Sequence, residues 1–460
     1  SATGGPDATR RLAPSGALAQ ALADMQMQTQ QSFVITDAQA TTDGTRSTDG
    51  EPTLQVQVVD PGDGYAQVAM TTDESGMIQW HFPPELDDEP VTRGDAMPTI
   101  RTRTFTFDTR RVDGTGERGV LSAIAQKLIN VYVFPVGKAI VGHVAAKYGE
   151  KLELERTPYR VRTFLPGDYA TKQATTITGG AWSTLAAGRA LLMIHGTNSS
   201  THTAFGELPP AFVDAMHAQY EGRVFAFDHP TLTHDPRQNI ETLLDLVPDG
   251  ITLDVDIICH SRGGLVSRVL AEKQESLQFG TRTLRVGTVI FVGAPNAGTR
   301  LADEACIGEY LDTVTNLLNV VPTNGATDAL GFVLTGVKLV ATGLWSGLKG
   351  LHSMQPGGEF GTWLNTGERA KETRYFALAS NYTPTQPSLV QLVKDRLMDK
   401  VFKGAGNDLV VPTDGVFAAN GSGYFPIEGE VVFNAVDGVP HTGFFQYART
   451  TTQMETWLKS

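Results

Sequence analysis

The sequence predicts an α/β domain with a mostly parallel sheet covered by helices, preceded by a smaller β-rich domain. Two patterns carry this prediction. From about residue 189 onward, near-continuous apolar runs alternate with helical segments, which is typical of parallel strands buried on both faces. Between residues 36 and 111, short runs alternate polar with apolar residues between turn clusters, which indicates half-buried antiparallel strands.

The first part of the chain divides into a predicted tail, residues 1–30, and a β-rich accessory domain, residues 31–165. We interpret residues 120–148 as helical, with a break near Pro135-Val-Gly137, and residues 151–164 as extended. A Pro-Gly pair at 166–167 marks the start of the second domain, residues 166–460. The strands predicted in the accessory domain are 54–59, 65–70, 77–82 and 104–107.

The second domain has the strand-turn-helix rhythm of a parallel sheet. Residues 300–370 do not fit this rhythm, and we interpret them as a helical cap or lid insertion. The helices predicted here are 210–220, 239–247 and 265–278. The predicted strands are 190–194, 224–227, 255–259, 286–293, 375–379 and 431–436.

One strand-to-helix junction carries residues that point to chemistry. The buried run 255–259 stops at His260-Ser261-Arg262-Gly263-Gly264, and a helix follows. A serine on a sharp turn between strand and helix is the geometry of a nucleophile elbow, whose usual pattern is Gly-x-Ser-x-Gly. Here Cys259 replaces the first glycine and Gly263 keeps the second. An ordinary strand-to-helix loop is the alternative interpretation of these five residues.

A serine hydroxyl becomes a nucleophile when a neighbouring base takes its proton. In enzymes with this elbow the chain order is serine, acid, histidine, so the base is sought after Ser261. His441 lies in a loop between the last predicted strand and a closing helix, and it is the predicted base. His352, within the insertion, is the weaker alternative.

The base needs an acid that holds its tautomer and stabilises its positive charge. Asp408 lies between the last two predicted strands, where the chain order requires the acid, and it is the predicted residue. Asp414 and Asp437 are the alternatives, since each lies close to the same loops. A surface aspartate is otherwise a turn former or a solvated charge.

Two backbone N–H groups are candidates for the oxyanion hole. The first is that of Arg262, directly after the serine. The second is that of Thr197, in the loop His195-Gly-Thr that ends the first strand of the domain. A glycine in such a loop lets the backbone approach a ligand closely. His195 itself has a simpler interpretation as a buried, hydrogen-bonded histidine.

These segments together resemble the α/β-hydrolase superfamily and, within it, the lipase-like serine esterases. The resemblance covers residues 185–460. It implies that Ser261 is the nucleophile, Asp408 the acid and His441 the base, with Thr197 and Arg262 as oxyanion donors. Cys259 departs from the family pattern, and the β-rich domain has no counterpart in it. The matching segments are 195–197, 259–264, 293–299, 407–412 and 440–445.

Two features of the second domain have competing interpretations. The apolar, glycine-rich stretch 330–348 is either a lid that forms an acyl pocket over the serine or a helix pair that completes the core. The guanidinium of Arg262 either engages an acidic group of the substrate or points away and pairs with a surface acid.

Composition excludes several classes of partner. The net charge of −13 argues against nucleic acid, because phosphate binding needs a basic surface. No His or Cys grouping has metal-binding spacing, and no glycine loop suits a phosphate cofactor, so no cofactor is expected. Charged residues and glycines interrupt the two longest apolar stretches, so no integral membrane segment is expected.

The cysteine content and the N-terminus bear on location. Two cysteines do not form a disulfide framework, which is compatible with a reducing cytoplasm. No secretory signal is visible, and since Ser1 replaces an initiator methionine we expect that the native start is missing. The cytoplasm is therefore the expected location.

The expected function is hydrolysis of a carboxylic ester through an acyl-enzyme, with a lipid or another apolar acyl ester as substrate. The same triad would serve a peptidase, a thioesterase or an acyltransferase, and the fold does not choose between them. The alternative from another class is a catalytically silent hydrolase fold that acts as a binding module. In that case the β-rich domain would be the surface for a protein partner.

Overall fold

The computed structural model describes residues 12–35, 53–83, 101–108, 127–136, 143–277, 282–321, 325–366, 372–395, 401–418 and 426–460. The strands are β1 (Gln28–Ile35), β2 (Thr53–Val59), β3 (Tyr65–Asp73), β4 (Ile78–His81), β5 (Thr102–Asp108), β6 (Lys127–Pro135), β7 (Arg160–Thr163), β8 (Ala190–Ile194), β9 (Val224–Asp228), β10 (Thr252–His260), β11 (Thr283–Val292), β12 (Arg374–Ser380) and β13 (Ile427–Phe433).

Fourteen α-helices are described along the same residues. They are α1 (Gly16–Asp24), α2 (His143–Arg156), α3 (Ala181–Leu185), α4 (Thr201–Phe205), α5 (Pro210–Gln219), α6 (Pro236–Leu246), α7 (Gly263–Glu272), α8 (Ile307–Val320), α9 (Ala326–Ala341), α10 (Lys349–His352), α11 (Glu359–Asn365), α12 (Pro387–Asp395), α13 (Thr413–Phe417) and α14 (Ala448–Lys459).

A seven-stranded sheet forms the centre of the larger domain. Its strand order is β13-β12-β11-β10-β8-β9-β7, and all neighbours are parallel except β7, which runs antiparallel to β9 at one edge. The parallel sheet predicted from the sequence is confirmed. Its inner strands β8 and β9 are buried along their whole length, which explains their continuous apolar runs.

A second, antiparallel sheet lies before the parallel one. It has the order β1-β6-β3-β4, and β2 and β5 pair separately as a two-stranded ladder. The β-rich part predicted from the sequence is therefore confirmed. Helix α1 and the first residues of β1 lie within the stretch that was predicted to be a tail, and Leu18 on α1 is fully buried.

The predicted helix over residues 120–148 is wrong between 127 and 135. That segment is strand β6, which pairs with β1 on one side and β3 on the other. It is buried over most of its length, so its residues are apolar on both faces and show no alternation. A short apolar run buried on both faces cannot be told from a buried helix by periodicity alone.

The predicted extended segment at 151–164 is correct only at its end. Helix α2 continues to Arg156, and β7 begins at Arg160. The letters KLELER at 151–156 alternate like a strand, yet Lys, Leu, Glu and Arg are all strong helix formers. One of these residues, Glu153, is buried against the larger domain, a contact that no local pattern reveals.

Helices α8 and α9 of the insertion pack against β4 and β3 of the antiparallel sheet. Helix α9 packs against α1, α8 and β3, and every residue from Ala329 to Leu339 is buried. Side chains of α8 satisfy the free edge of β4: Asp312 accepts from the Trp80 N–H (2.7 Å), and Asn316 accepts from the Ile78 N–H (2.9 Å). The insertion therefore joins the antiparallel sheet to the larger domain.

Lys338 on α9 carries a charge into this junction. Its side chain is buried, its Nζ donates to the carbonyl of Met25 (3.2 Å), and it lies over the ring of Phe134. Burial, with a smaller effect from Arg156, lowers the pKa of Lys338 from 10.5 to about 8. The charged form is therefore less stable in the folded protein than in the unfolded chain.

Replacing Lys338 by methionine is expected to raise the free energy of unfolding at pH 7 by about 2 kcal/mol, because the desolvation cost exceeds the lost hydrogen bond. Between pH 8 and 10.5 the folded wild type binds fewer protons at Lys338 than the unfolded chain does. The free energy of unfolding of the wild type therefore rises over this pH range, while that of the variant gains nothing from this group. The stability advantage of the variant at pH 7 becomes smaller as the pH rises.

Denaturant unfolding at pH 7 and pH 10 checks this expectation. The matched control is Lys151→Met, since the Lys151 side chain is 75% exposed. A stability difference between wild type and Lys338→Met that is the same at both pH values would contradict the assignment of a buried charge.

No helix in the described part of the chain is long and apolar enough to cross a membrane.

Candidate active site

Ser261 lies on a sharp turn between β10, the central strand of the parallel sheet, and helix α7. Its φ is +54°, in the left-handed region that a residue with a side chain seldom adopts. Its N–H donates to the carbonyl of Val292 on the neighbouring strand (2.9 Å). Gly263 leaves the space that the turn requires, because a Cβ there would lie 2.4 Å from the carbonyl oxygen of Ile194. The turn has the geometry of a nucleophile elbow.

Cys259 occupies the position of the first glycine in the usual pattern. Its side chain is fully buried, and Sγ donates to the carbonyl of Ile290 (3.3 Å). Burial raises the pKa of the Cys259 thiol to about 12. A thiol with that pKa stays protonated at neutral pH, so Cys259 is not a candidate nucleophile.

His441 lies over the serine. Its Nε2 is 3.0 Å from Ser261 Oγ, and its Nδ1 is 2.7 Å from Asp408 Oδ2. Because the carboxylate accepts a hydrogen bond from Nδ1–H, the Nε2 lone pair is directed at the serine hydroxyl. The backbone N–H of His441 also donates to the carbonyl of Asp408 (3.1 Å). The three side chains, from three loops far apart in the sequence, form one hydrogen-bonded chain.

The Asp408 carboxylate is held by its own turn. Its Oδ1 accepts the N–H groups of Val410 (3.0 Å) and Val411 (2.7 Å), which leaves Oδ2 for His441. Leu409 has a φ of +78°, and this bends the backbone back onto the carboxylate. Asp408 is 1% exposed, so its charge interacts with His441 with little screening by water.

The alternative residues are not brought to the serine. Asp414 is exposed, and Asp437 caps a turn by accepting from the Asn434 N–H (2.7 Å). His352 lies in α10 with its ring 4.5 Å from that of Trp345. None of these three side chains has a hydrogen bond to Ser261 or His441 within the described residues.

His260 is a functional candidate that the sequence analysis did not single out. Its Nε2–H donates to the carbonyl of His441 (3.0 Å), and the two rings lie 4.9 Å apart. Burial, reinforced by His441, lowers the pKa of His260 to about 3, so the ring is neutral. It supports the backbone of the histidine loop. Its place directly before the serine in the motif was the signal that could have indicated it.

The loop after β8 lies directly against Ser261. A Cβ on Gly196 would lie 2.6 Å from Ser261 Cβ and 3.2 Å from its Oγ, so only glycine fits there. Thr197 follows Gly196. Within the described residues, neither the backbone N–H of Thr197 nor that of Arg262 donates to a protein acceptor. Both N–H groups are therefore free of internal partners beside the serine.

His195 is the buried, hydrogen-bonded histidine that its simpler interpretation predicts. It is fully buried, its Nδ1–H donates to the Gly196 carbonyl (3.0 Å), and its Nε2 accepts the N–H of His229 (3.2 Å). Burial lowers the pKa of His195 to about 4, so the ring is neutral. It holds the loop and does not reach the serine by a hydrogen bond.

The Arg262 guanidinium points into the protein, and neither interpretation from the sequence describes it. Nε donates to the Gly350 carbonyl (2.9 Å), and Nη2 donates to Asn239 Oδ1 (3.0 Å) and to the His234 carbonyl (2.5 Å). The side chain is fully buried, and in the described part of the chain none of its hydrogen bonds goes to a carboxylate. It connects the elbow to the insertion and to the loop after β9.

The insertion covers the site. Ser261 and His441 are each only 5% exposed. Tyr310 on α8 and Met354 after α10 both contact the loop after β8, through Asn198 Nδ2 (2.8 Å) and Thr197 Oγ1 (3.6 Å) respectively. Because every residue of α9 from Ala329 to Leu339 is buried, the structure favours a helix pair that completes the core over a lid on the surface.

No group of three His, Cys, Asp or Glu side chains in the described ranges is arranged to hold a metal ion.

The larger domain has the α/β-hydrolase fold. The parallel sheet, the antiparallel strand at its edge and the elbow at the end of its central strand together define that fold. The resemblance to the α/β-hydrolase superfamily stated from the sequence is confirmed at the level of the fold.

Several solved structures are similar to this chain in fold. The lipase BlEst2 of Bacillus licheniformis is 16% identical, with 59% of this chain and 90% of that chain covered and a TM-score of 0.38. Lipase 1 from Pelosinus fermentans is 11% identical, with 59% and 97% covered and a TM-score of 0.38. The phospholipase PlaB from Legionella pneumophila is 16% identical, with 50% and 45% covered and a TM-score of 0.32.

No curated protein matches the chain by sequence. A family model described as a domain of unknown function, DUF7379, matches residues 156–459. Since that match spans more than half of the 460 residues, the chain belongs to the DUF7379 family.

Proposed function

We propose that this protein is a serine hydrolase that cleaves carboxylic esters through an acyl-enzyme. Ser261 is the nucleophile, His441 the general base and acid, and Asp408 the acid that orients the histidine. The observation that carries the proposal is the hydrogen-bonded chain from Ser261 Oγ through the His441 ring to a buried carboxylate, at an elbow turn.

The first half of the reaction forms the acyl-enzyme. Ser261 Oγ attacks the ester carbonyl carbon while its proton passes to His441 Nε2, and Asp408 stabilises the resulting imidazolium. The carbonyl oxygen becomes an oxyanion, which the N–H groups of Thr197 and Arg262 stabilise. When the C–O bond breaks, the leaving alcohol takes the proton from Nε2.

The second half releases the acid. A water molecule gives a proton to His441 Nε2 and attacks the acyl carbon, and a second oxyanion forms at the same N–H groups. Its collapse breaks the bond to Ser261 Oγ, which takes the proton back. We propose a lipid or another apolar acyl ester as the substrate.

The proposal includes the domain organisation and location expected from the sequence. The accessory domain, expected at 31–165, precedes a catalytic domain, expected at 166–460, with the cap at about 300–370. Because β7 (Arg160–Thr163) pairs with β9 in the seven-stranded sheet, we place the start of the catalytic domain before residue 160. The accessory domain is where a protein partner would bind. Cys259 and Cys306 are both unpaired, which is compatible with a cytoplasmic location.

A fluorophosphonate probe tests the reaction class. We expect covalent labelling of the wild type, with the label mapped to Ser261 by mass spectrometry, and no label on Ser261→Ala. p-Nitrophenyl esters from acetate to palmitate then define the chain-length preference. A label that persists on Ser261→Ala would move the nucleophile elsewhere. Absence of label on a wild type tested beside an active esterase would contradict the enzyme proposal.

A further inference from the structure

The buried carboxylate of Glu153, which precedes the region matched by the family model, forms hydrogen bonds with the loop after β9. Glu153 on α2 is 3% exposed. Its Oε1 accepts the N–H groups of Thr231 (2.5 Å) and Leu232 (2.7 Å), and its Oε2 accepts the N–H (2.7 Å) and hydroxyl (2.6 Å) of Thr233. Hydrogen bonds to a charged acceptor are stronger than neutral ones, so this loop is held firmly in place.

Thr231 connects this loop to the one beside the nucleophile. Its hydroxyl donates to Glu153 Oε1 (3.3 Å) and accepts the backbone N–H of Asn198 (3.2 Å). Asn198 has a φ of +52°, and its Nδ2 donates to the hydroxyl of Tyr310 (2.8 Å). Two contacts therefore hold a residue in the left-handed region immediately after Thr197.

The direction of the Thr197 N–H follows from these contacts. In the peptide unit that contains it, the Gly196 carbonyl accepts from His195 Nδ1 (3.0 Å) and from Ser199 Oγ (2.8 Å). A planar trans peptide points its N–H opposite to its carbonyl, so this N–H is aimed away from those donors. The next peptide unit is held by the bond from the Asn198 N–H to Thr231.

We propose that Thr231, itself held by Glu153, is a positioning residue for the oxyanion donor at Thr197. This inference rests on the proposed esterase function. Thr231 touches neither the substrate nor the reacting atoms, and it acts by keeping Asn198, and so the Thr197 peptide, in one orientation. Donors that are already oriented when the oxyanion forms stabilise it without a reorganisation cost.

Two variants of Thr231 separate this role from packing. Thr231→Val keeps the shape and removes the acceptor for the Asn198 N–H, whereas Thr231→Ser keeps the hydroxyl. We expect Thr231→Val to lower kcat on a p-nitrophenyl ester roughly 10- to 100-fold, with KM changed by less than about twofold. Thr231→Ser should restore most of the wild-type kcat.

A trifluoromethyl ketone supplies a readout that a purely structural role would not change. It adds to the serine as a tetrahedral oxyanion, so its affinity should fall in Thr231→Val by about the same factor as kcat. The matched control is Thr335→Val, because the Thr335 side chain is also buried and its hydroxyl donates within its own helix, to the Gly331 carbonyl. The control should keep wild-type kcat and ketone affinity.

Three results would overturn the inference: wild-type kcat in Thr231→Val, unchanged ketone affinity despite a lower kcat, or no rescue by Thr231→Ser. Thermal unfolding checks that each variant folds. If Thr231→Val does not fold, Tyr310→Phe takes its place, since it removes the acceptor for Asn198 Nδ2 and should lower kcat and ketone affinity together. Failure of the esterase proposal itself looks different, because the wild type would then not react with the fluorophosphonate.

Discussion

Replacing Asp408 by asparagine is expected to lower kcat for an ester substrate by about 10⁴-fold while the protein stays folded. The turn around Asp408 decides the orientation of the new amide. Because Oδ1 accepts two N–H groups, from Val410 and Val411, only the amide oxygen can take that place. The amide NH₂ would then face His441 Nδ1.

A donor at that position inverts the tautomer of the histidine. His441 Nδ1 would have to accept, so the ring proton would move to Nε2, and Ser261 Oγ would lose its base. We expect KM and the midpoint of thermal unfolding to stay close to the wild-type values.

Steady-state kinetics with a p-nitrophenyl ester, together with thermal unfolding, measures this effect. The control is Asp414→Asn, because Asp414 lies in the same region but is exposed and has no hydrogen bond to His441. A loss in kcat smaller than about tenfold would show that Asp408 is not the orienting acid.

Replacing Gly263 by alanine is expected to lower the free energy of unfolding by about 4 kcal/mol. The new Cβ would lie 2.4 Å from the Ile194 carbonyl oxygen and 2.7 Å from that of His195. Both are backbone atoms of β8 and its loop, in the middle of the sheet, and they cannot move aside as a flexible side chain would. The elbow would therefore have to separate from β8, and Ser261 would leave its position.

Thermal unfolding checks this prediction, with an expected decrease in Tm of roughly 10 °C. Gly308→Ala is the matched control, since Gly308 lies in helix α8 and a Cβ there meets no atom within 4 Å. The control should leave Tm nearly unchanged or raise it slightly. If both alanine variants unfolded at the same temperature, the steric argument for the elbow would be wrong.

Hydrophobic patterns in the sequence correctly predicted the strands that are covered by helices on both faces of the sheet. Strands β8, β9 and β10 are mostly apolar because helices cover both faces of the sheet. Burial on both faces therefore gives a continuous hydrophobic pattern in the sequence. Strand β6 has a similar apolar pattern, and there the same letters suggested a helix. The difference between these elements lies in their partners, which a window of neighbouring residues does not contain.

The candidate site shows the same limit at the level of single side chains. Chain order predicted Asp408 as the acid but also left Asp414 and Asp437 open. For the Arg262 side chain, the sequence was compatible with two environments. Contacts between distant segments decide these questions, since Asp408 meets His441 33 residues later and Arg262 bonds to Gly350 88 residues later. Such contacts depend on how the loops pack, and no local periodicity records them.

By itself, the sequence determined the parallel sheet, the β-rich part before it and the serine turn between β10 and α7. These features follow from the pattern of apolar residues and from the positions of glycine. Both can be recognised in a short stretch of sequence. Only the tertiary structure decided which acid meets His441, where the Arg262 guanidinium points, and that Glu153 and Thr231 support the loop beside Ser261. Those contacts join residues far apart in the chain, and they exist only once the sheets and the insertion have packed together.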